Sequence, residues 1–240
     1  MLLAVDIGNS AIKFGLFEGD KLTSKFSIPT KRNATADDIK LAVGDRLSNS
    51  IDDVIVCSVV PDIEESMGSF LSSVTSADPV FINNSFDFGL KINYDPLDSL
   101  GTDRLVNAFA AVEKYGVPCI VCSLGTATTI DVVNADREFL GGIIAPGLDA
   151  MAEALVLGAP RLPKVAAEKP ENLVGNSTAD SIQSGIYNGY VAMVEGLLEK
   201  ISSEFGIEKT ILTGGNAKAL SGGIVEGDLM LIGLRHLAVR

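Results

Sequence analysis

Val5-Asp6-Ile7-Gly8-Asn9-Ser10-Ala11-Ile12-Lys13 near the start and Cys122-Ser123-Leu124-Gly125-Thr126-Ala127-Thr128-Thr129 beyond the middle decide the fold. Each closes a short apolar run, turns on a glycine with small polar residues, and leads into a second strand-like run. Aligned on the glycines, Val5-Asp6-Ile7-Gly8-Asn9 matches Cys122-Ser123-Leu124-Gly125-Thr126. A chain that restarts in the same way reads as two related α/β halves, and here they join near Tyr115-Gly116.

Outward from the first motif, Leu2 to Val5 reads as a buried strand. Ala11 to Phe17 and Lys21 to Ile28 continue it as an antiparallel meander. Thr35-Ala36-Asp37-Asp38 has the spacing of a capping box, and Ile39, Val43 and Leu47 then mark one helical face. Asp53 to Val60 is a strand stopped by Pro61. Ile63, Met67, Phe70 and Val74 mark a second helix, and Pro79 to Ile82 a short strand. Gly101-Thr102-Asp103-Arg104 opens a helix whose buried face holds Leu105, Phe109 and Val112, closed by Gly116 and Pro118. Outward from the second motif, Cys119 to Ser123 is a strand, and Ile130 to Val133 with Phe139 to Ile144 form a hairpin. A long helical region runs from about Thr178 to Phe205, then a strand from Thr210 to Thr213. The segment from Asp228 reads as strand-like and then helical.

Composition narrows the functions. The 240 residues are 47% apolar with 24 glycines, which suits an α/β fold with many tight connections. The net charge of −12 and the lack of a Lys/Arg cluster argue against nucleic acid and anionic membranes. A bound polyphosphate must then be held locally, by backbone N–H groups, a metal ion and a few cations. Three cysteines do not make a secreted disulfide framework. Cys119 and Cys122 face opposite sides of one strand and read as core, not as a metal pair. With no signal-like or membrane-spanning run, a cytoplasmic location is expected.

In the first motif, Gly8 lets backbone approach a phosphate, Asn9 and Ser10 offer donors, and Lys13 adds a cation. Asp6, at the strand end, is placed to hold Mg²⁺ directly or through water. Alone, the motif reads better as an ordinary hairpin turn. The loop Gly125-Thr126-Ala127-Thr128-Thr129 adds three hydroxyls, and two such loops, each after a buried strand, would hold a triphosphate from both sides. Thr213-Gly214-Gly215-Asn216 leaves room for a flat adenine ring. At the helix start, Thr102 or Asp103 would serve as an ordinary N-cap. The chemical reading makes Asp103 a base that takes a proton from an attacking hydroxyl, and Arg104 a clamp for a substrate carboxylate. His236 is the only histidine and has no polar motif near it, so a histidine base is not expected.

Together these pieces resemble the type III pantothenate kinases, from Met1 to about Gly233. The resemblance is carried by Asp6-Ile7-Gly8-Asn9-Ser10, Tyr94-Asp95-Pro96, Gly101-Thr102-Asp103-Arg104 and Gly125 to Asp131. Gly141 to Gly147, Thr178 to Gly185 and Thr213-Gly214-Gly215-Asn216 complete it. It implies two ribonuclease-H-like domains, mixed sheets opened by antiparallel hairpins and flanked by helices, over 1–115 and 116–240, with the active site in the cleft between them. It implies a homodimer, ATP with Mg²⁺, a monovalent cation (K⁺ or NH₄⁺), and phosphorylation of the primary hydroxyl of pantothenate, the entry to coenzyme A. By the same resemblance Asp6, Ile7, Gly8, Asn9, Ser10, Ala11, Ile12 and Lys13, with Gly125 and Thr126, contact ATP. Asp103 is the general base. Tyr94, Gly101, Thr102, Asp103 and Arg104 bind pantothenate, and Thr178 of the partner subunit closes the pocket.

The chain departs from the family mildly at Ser10, usually Thr, and at Thr102, usually Ala. The larger departure is Ser123, where the family has the Asp that binds the monovalent cation, an expectation the internal alignment with Asp6 repeats. A hydroxyl is a poorer cation ligand than a carboxylate, so weak or absent K⁺ stimulation is expected. Two further readings stand beside the active kinase: a nucleotide-binding regulatory or partner protein with little turnover, and a kinase or phosphatase of the same superfamily with another substrate. Asp103 beside Arg104 favours the active kinase, because a binding module needs no base beside a carboxylate clamp.

Overall fold

The computed structural model describes residues 1–47 and 51–240. The chain divides into two compact units, Met1–Lys114 with Asp228–Arg240, and Tyr115–Gly227.

The first unit opens with β1 (Leu2–Ile7), β2 (Ala11–Glu18) and β3 (Lys21–Pro29), the expected meander. Every residue of β1 from Leu3 to Ile7 is buried, because the strand lies inside the sheet and not at its edge. α1 (Ala36–Val43) starts at the capping box read from the sequence: Thr35 accepts from the Asp38 N–H and the Asp38 side chain accepts from the Thr35 N–H. β4 (Asp53–Ser58) pairs parallel to β1, α2 (Glu64–Val74) follows, and β5 (Val80–Phe81) completes the order β3-β2-β1-β4-β5. β6 (Lys91–Ile92) precedes α3 (Thr102–Tyr115). The core gathers Leu3, Val5 and Ile7 with Phe14, Met67 and Phe70. Burying each large apolar side chain contributes about 1.5–3 kcal/mol.

In the second unit β7 (Cys119–Leu124), β8 (Ala127–Val133) and β9 (Glu138–Pro146) repeat the antiparallel meander. α4 (Leu148–Gly158) and α5 (Thr178–Phe205) follow, then β10 (Thr210–Thr213) and β11 (Ile224–Val225). These strands run in the order β11-β10-β7-β8-β9. Ile120, Cys122 and Leu124 form one core face with Tyr190 and Val194 of α5. Burial, above all, pushes the Cys119 thiol up to about 11 and the Cys122 thiol to about 12, as expected of core cysteines.

α6 (Leu229–Ala238) is helical from its first residue, which corrects the expectation of a strand-like start after Asp228. The apolar run Leu229-Met230-Leu231-Ile232 has no period that separates a strand from a buried helix. Packing decides it: α6 lies on β1 and β4, and a Cβ at Gly233 would come within 2.9 Å of Val106 and Ala110 of α3. The last helix therefore groups with the first unit, where the sequence reading had run the second domain to 240. No helix among the described residues is long and apolar enough to cross a membrane.

Candidate active site

In the first unit, the antiparallel register sets Asp6 opposite Lys13, and Lys13 Nζ donates to Asp6 Oδ2 at 3.2 Å. The turn between them is closed by the Gly8 N–H donating to the Ala11 carbonyl at 3.1 Å. Thr30 Oγ1 ties it down by donating to the Gly8 carbonyl at 2.6 Å. A Cβ at Gly8 would sit 3.2 Å from the Ala11 carbonyl, so the turn is tight as well as bare. Asn9 and Ser10 are exposed, and Asn9 Oδ1 accepts from Arg32 at 2.9 Å. Ile7 and Ile12 bury their side chains, so only their backbone groups can meet a nucleotide.

α3 supplies the second half of this cluster. Its first turn carries Asp103, whose Oδ1 accepts from the Arg104 N–H at 2.9 Å. A Cβ at Gly101 would strike that same oxygen, so the glycine makes room for the carboxylate. Thr102 Oγ1 donates to Asn84 Oδ1 at 2.6 Å, and Asn84 Nδ2 reaches back to the Leu97 and Leu100 carbonyls, bracing the loop before the helix. Arg104 is 4% exposed; one guanidinium N donates to the Tyr94 hydroxyl at 3.4 Å and its head lies 5.5 Å from that ring's centre.

Burial is the main force that raises the Asp6 carboxyl above its ordinary value; Lys13 opposes it and the Asp103 charge adds to it. Burial likewise raises Asp103, against the Arg104 N–H, the Arg104 guanidinium and Lys13. A buried carboxylate, Asp6, raised further by the charge of a half-buried one, Asp103, with Lys13 acting on both, forms an arrangement in which a hard cation is welcome. Among the described residues no group of three or more His, Cys, Asp or Glu is placed to hold a metal. A divalent metal carried in by a nucleotide would find the Asp6 carboxylate as the residue able to add a ligand here. Cys57 of β4 pairs with Asp6 of β1, and burial, then the Asp6, Asp103 and Glu64 charges, hold its thiol far from ionising.

The second unit builds the other loop. Gly125 and Thr126 are exposed at the β7–β8 turn, which the Gly125 N–H closes on the Ala127 carbonyl at 3.1 Å. Gly147 and Gly214 press on this turn from two sides. A Cβ on Gly147 would hit the Gly125 carbonyl, and one on Gly214 would lie 2.5 Å from the Leu124 carbonyl. Gly214 also has φ +90°, a conformation that favours glycine. Ser123 pairs with Thr129 on β8 and with Thr213 on β10, so three hydroxyl residues meet on one face. Asp131 stands diagonally across from Ser123 on that face, 1% exposed. The Ser123 position itself offers a hydroxyl where a carboxylate would bind a monovalent cation better, and the carboxylate on this face is that of Asp131. Thr178 is exposed in the first turn of α5, beside Ser177, whose Oγ accepts from the Asp180 N–H at 3.1 Å. It lines an open recess of about 730 Å³ with Gly175, Asn176 and Ser181.

The structure thus brings Asp6, Lys13, Tyr94, Thr102, Asp103 and Arg104 into one unit, and Ser123, Gly125, Thr126 and Thr178 into the other. One buried residue near the first group escaped the sequence reading. Asn107 is 6% exposed and its Oδ1 has no hydrogen-bond partner among the described residues. An unsatisfied buried acceptor costs about 1–3 kcal/mol. The signal was present as a lone carboxamide among apolar residues, four positions after Asp103.

The fold is that of the actin-like sugar kinases. A ROK hexokinase from Thermus thermophilus superposes with TM-score 0.50 at 14% identity, over 99% of this chain and 98% of its own. A Campylobacter jejuni protein named for the Baf family of transcriptional activators superposes with TM-score 0.61 at 20% identity, over 98% and 96%. Within that class, the type III pantothenate kinase family model matches residues 2–200. The type III pantothenate kinase of Solibacter usitatus is 39% identical over 96% of this chain and 90% of its own. The chain belongs to the type III pantothenate kinase family.

Proposed function

We infer that the protein transfers the γ-phosphoryl group of ATP to the primary hydroxyl of pantothenate, opening coenzyme A synthesis. The observation that carries this reading is the start of α3. There a carboxylate with a raised pKa, Asp103, sits beside a buried guanidinium, Arg104, held against Tyr94. Asp103 accepts the hydroxyl proton as the oxygen attacks phosphorus. Arg104 makes two parallel charge-assisted bonds to the substrate carboxylate, with Tyr94 and Thr102 shaping its pocket. The Gly8 turn offers backbone N–H groups to the triphosphate, Lys13 offsets its charge, and Asp6 would help to hold Mg²⁺, which neutralises charge on the transferring phosphoryl group.

The homodimer belongs to the same reading. Leu157, Leu173 and Val174 are exposed near the recess that holds Thr178, apolar surface that a second copy would cover. Thr178 of the partner subunit then closes the pantothenate pocket. Ser123 makes this enzyme weakly dependent on K⁺ or independent of it, and it works in the cytoplasm. A nucleotide-binding partner protein with little turnover is not favoured, since a binding module has no use for Asp103 beside Arg104.

An ATP-coupled assay with pantothenate tests the reading directly. Arg104→Lys keeps the charge and loses the planar fork, so it raises KM for pantothenate about 10-fold or more and leaves that for ATP near its original value. If pantothenyl alcohol, which lacks the carboxylate, binds as tightly as pantothenate, Arg104 is not the clamp.

A further inference from the structure

We propose that Asn107 is a substrate-positioning residue whose Oδ1 accepts a hydrogen bond from the secondary hydroxyl of pantothenate. This rests on the reading of pantothenate as the phosphoryl acceptor. Three observations lead to it. The first is the unsatisfied acceptor itself: Asn107 is 6% exposed, and Oδ1 finds no partner among the described residues. Buried polar groups in native proteins are nearly always paired, so one left open points to a donor that arrives later.

The second is its direction. At about 100° per residue, Asn107 lies about 40° round α3 from Asp103, and Arg104 lies about 100° round, so Asn107 falls on the stripe between them, one turn deeper. Side chains on a helix lean toward its N-terminus, which tilts the carboxamide up toward Asp103 and Arg104. Three neighbouring residues of α3 are committed elsewhere. Val106 and Ala110 face Gly233 of α6, and Phe109 meets the Phe88 ring edge-on at 6.4 Å.

The third is the chemistry of the acceptor molecule. With its primary hydroxyl at Asp103 and its carboxylate at Arg104, pantothenate would lay its middle along the stripe of α3 that holds Asn107. That middle carries a secondary hydroxyl, separated from the reacting one by a single quaternary carbon, and then an amide. Asn107 is closer round the helix to Asp103 than to Arg104, which selects the hydroxyl. Fixing it would hold the reacting oxygen in line with the base through a short, branched link.

The test compares pantothenate with its analogue lacking the secondary hydroxyl, on the wild-type enzyme and on Asn107→Ala and Asn107→Leu. The wild type is expected to favour pantothenate by about 10–100-fold in kcat/KM. In both variants that preference should collapse toward unity, through loss on pantothenate alone, while KM for ATP stays put. Thermal melting separates this from a structural role: removing an unpaired buried acceptor leaves Tm unchanged or higher, most clearly for the near-isosteric Asn107→Leu. Equal discrimination in wild type and variants, no discrimination in the wild type, or variants that melt lower and still discriminate would each overturn the proposal. A wild-type enzyme that turns over no pantothenate at all refutes the kinase reading itself, and is told apart by needing no variant.

Discussion

At the end of β1, Asp6 faces Lys13 across the hairpin; at the end of β7, the matching Ser123 faces Thr129 and Thr213. The strand, turn and antiparallel return are repeated, and the chemistry is not. The first hairpin carries an ion pair next to a second carboxylate, Asp103. The second carries hydroxyls around a glycine-walled turn. A duplicated backbone can therefore divide its work, with a Lys–Asp ion pair at the strand end of one copy and a hydroxyl cluster at the matching position of the other, whose carboxylate, Asp131, sits diagonally across on β8. It also says what each copy costs. The first keeps one buried and one half-buried carboxylate, Asp6 and Asp103, whose pKa values are raised, so their ionised forms destabilise the fold. The second spends nothing on buried charge at Ser123.

The largest test of that division is Asp103→Asn. Turnover should fall by about 10²–10⁴ while ATP binding persists. Because the folded pKa is raised, the group favours folding while protonated, and that contribution is lost as pH rises through the folded pKa. At neutral pH the amide removes the penalty, so Tm should rise, by about 2–4 °C for each kcal/mol relieved. A variant that is inactive and also less stable would mean Asp103 holds the helix start instead.

The pH profile follows from the same sign. In the proposed mechanism Asp6 and Asp103 both act in their ionised forms, and burial raises both above the ordinary carboxylate value. The acid limb of kcat/KM should accordingly fall off at higher pH than an exposed carboxylate would give, and the limb should shift in Lys13→Ala, which removes a charge that lowers both. An acid limb near the ordinary Asp value in wild type would contradict the burial argument.

Ser123→Asp converts the second hairpin toward the first. With K⁺ titrated at fixed ionic strength, the natural enzyme should respond little and the variant should gain saturable activation of several-fold, about 1 kcal/mol. Strong saturable activation of the unmodified protein would mean the hydroxyls of Ser123, Thr129 and Thr213 suffice.

The smallest effect probes how the neutral hairpin is held. Thr128 and Tyr190, both wholly buried, share a hydrogen bond of 2.7 Å between β8 and α5. Tyr190→Phe leaves the threonine hydroxyl unpaired and should cost about 1–3 kcal/mol in denaturant unfolding. Adding Thr128→Val should recover part of it, whereas additive losses would mean packing, not the bond, is at stake.

Much of this was legible because local rules and global packing agreed. The strand before Gly8, the capping box at Thr35 and the helix after Gly101 each carry their own start or stop signal. α4 carries none: Gly147 gives it no side-chain cap, and Leu148 to Gly158 mixes apolar residues all round, with Leu157 left 81% exposed. α6 failed for the opposite reason, a run apolar enough for either structure. In the site, Asp103 and Arg104 stood out as a charged pair at a helix start, but Asn107 did not, because an asparagine in a helix is unremarkable until its burial and its missing partner are known.

The three cysteines are all buried, and burial holds each thiol well above its ordinary range. For a thiol near 11, roughly one molecule in ten thousand carries the thiolate at pH 7, and the thiolate is the form that reacts. The folded enzyme should therefore pass through oxidants and alkylating reagents almost untouched. Cys57, paired with Asp6 across the β1–β4 register, becomes a clock for that sheet: the rate at which it is labelled should count how often β1 and β4 part, and a nucleotide bound at the Gly8 turn should slow the count.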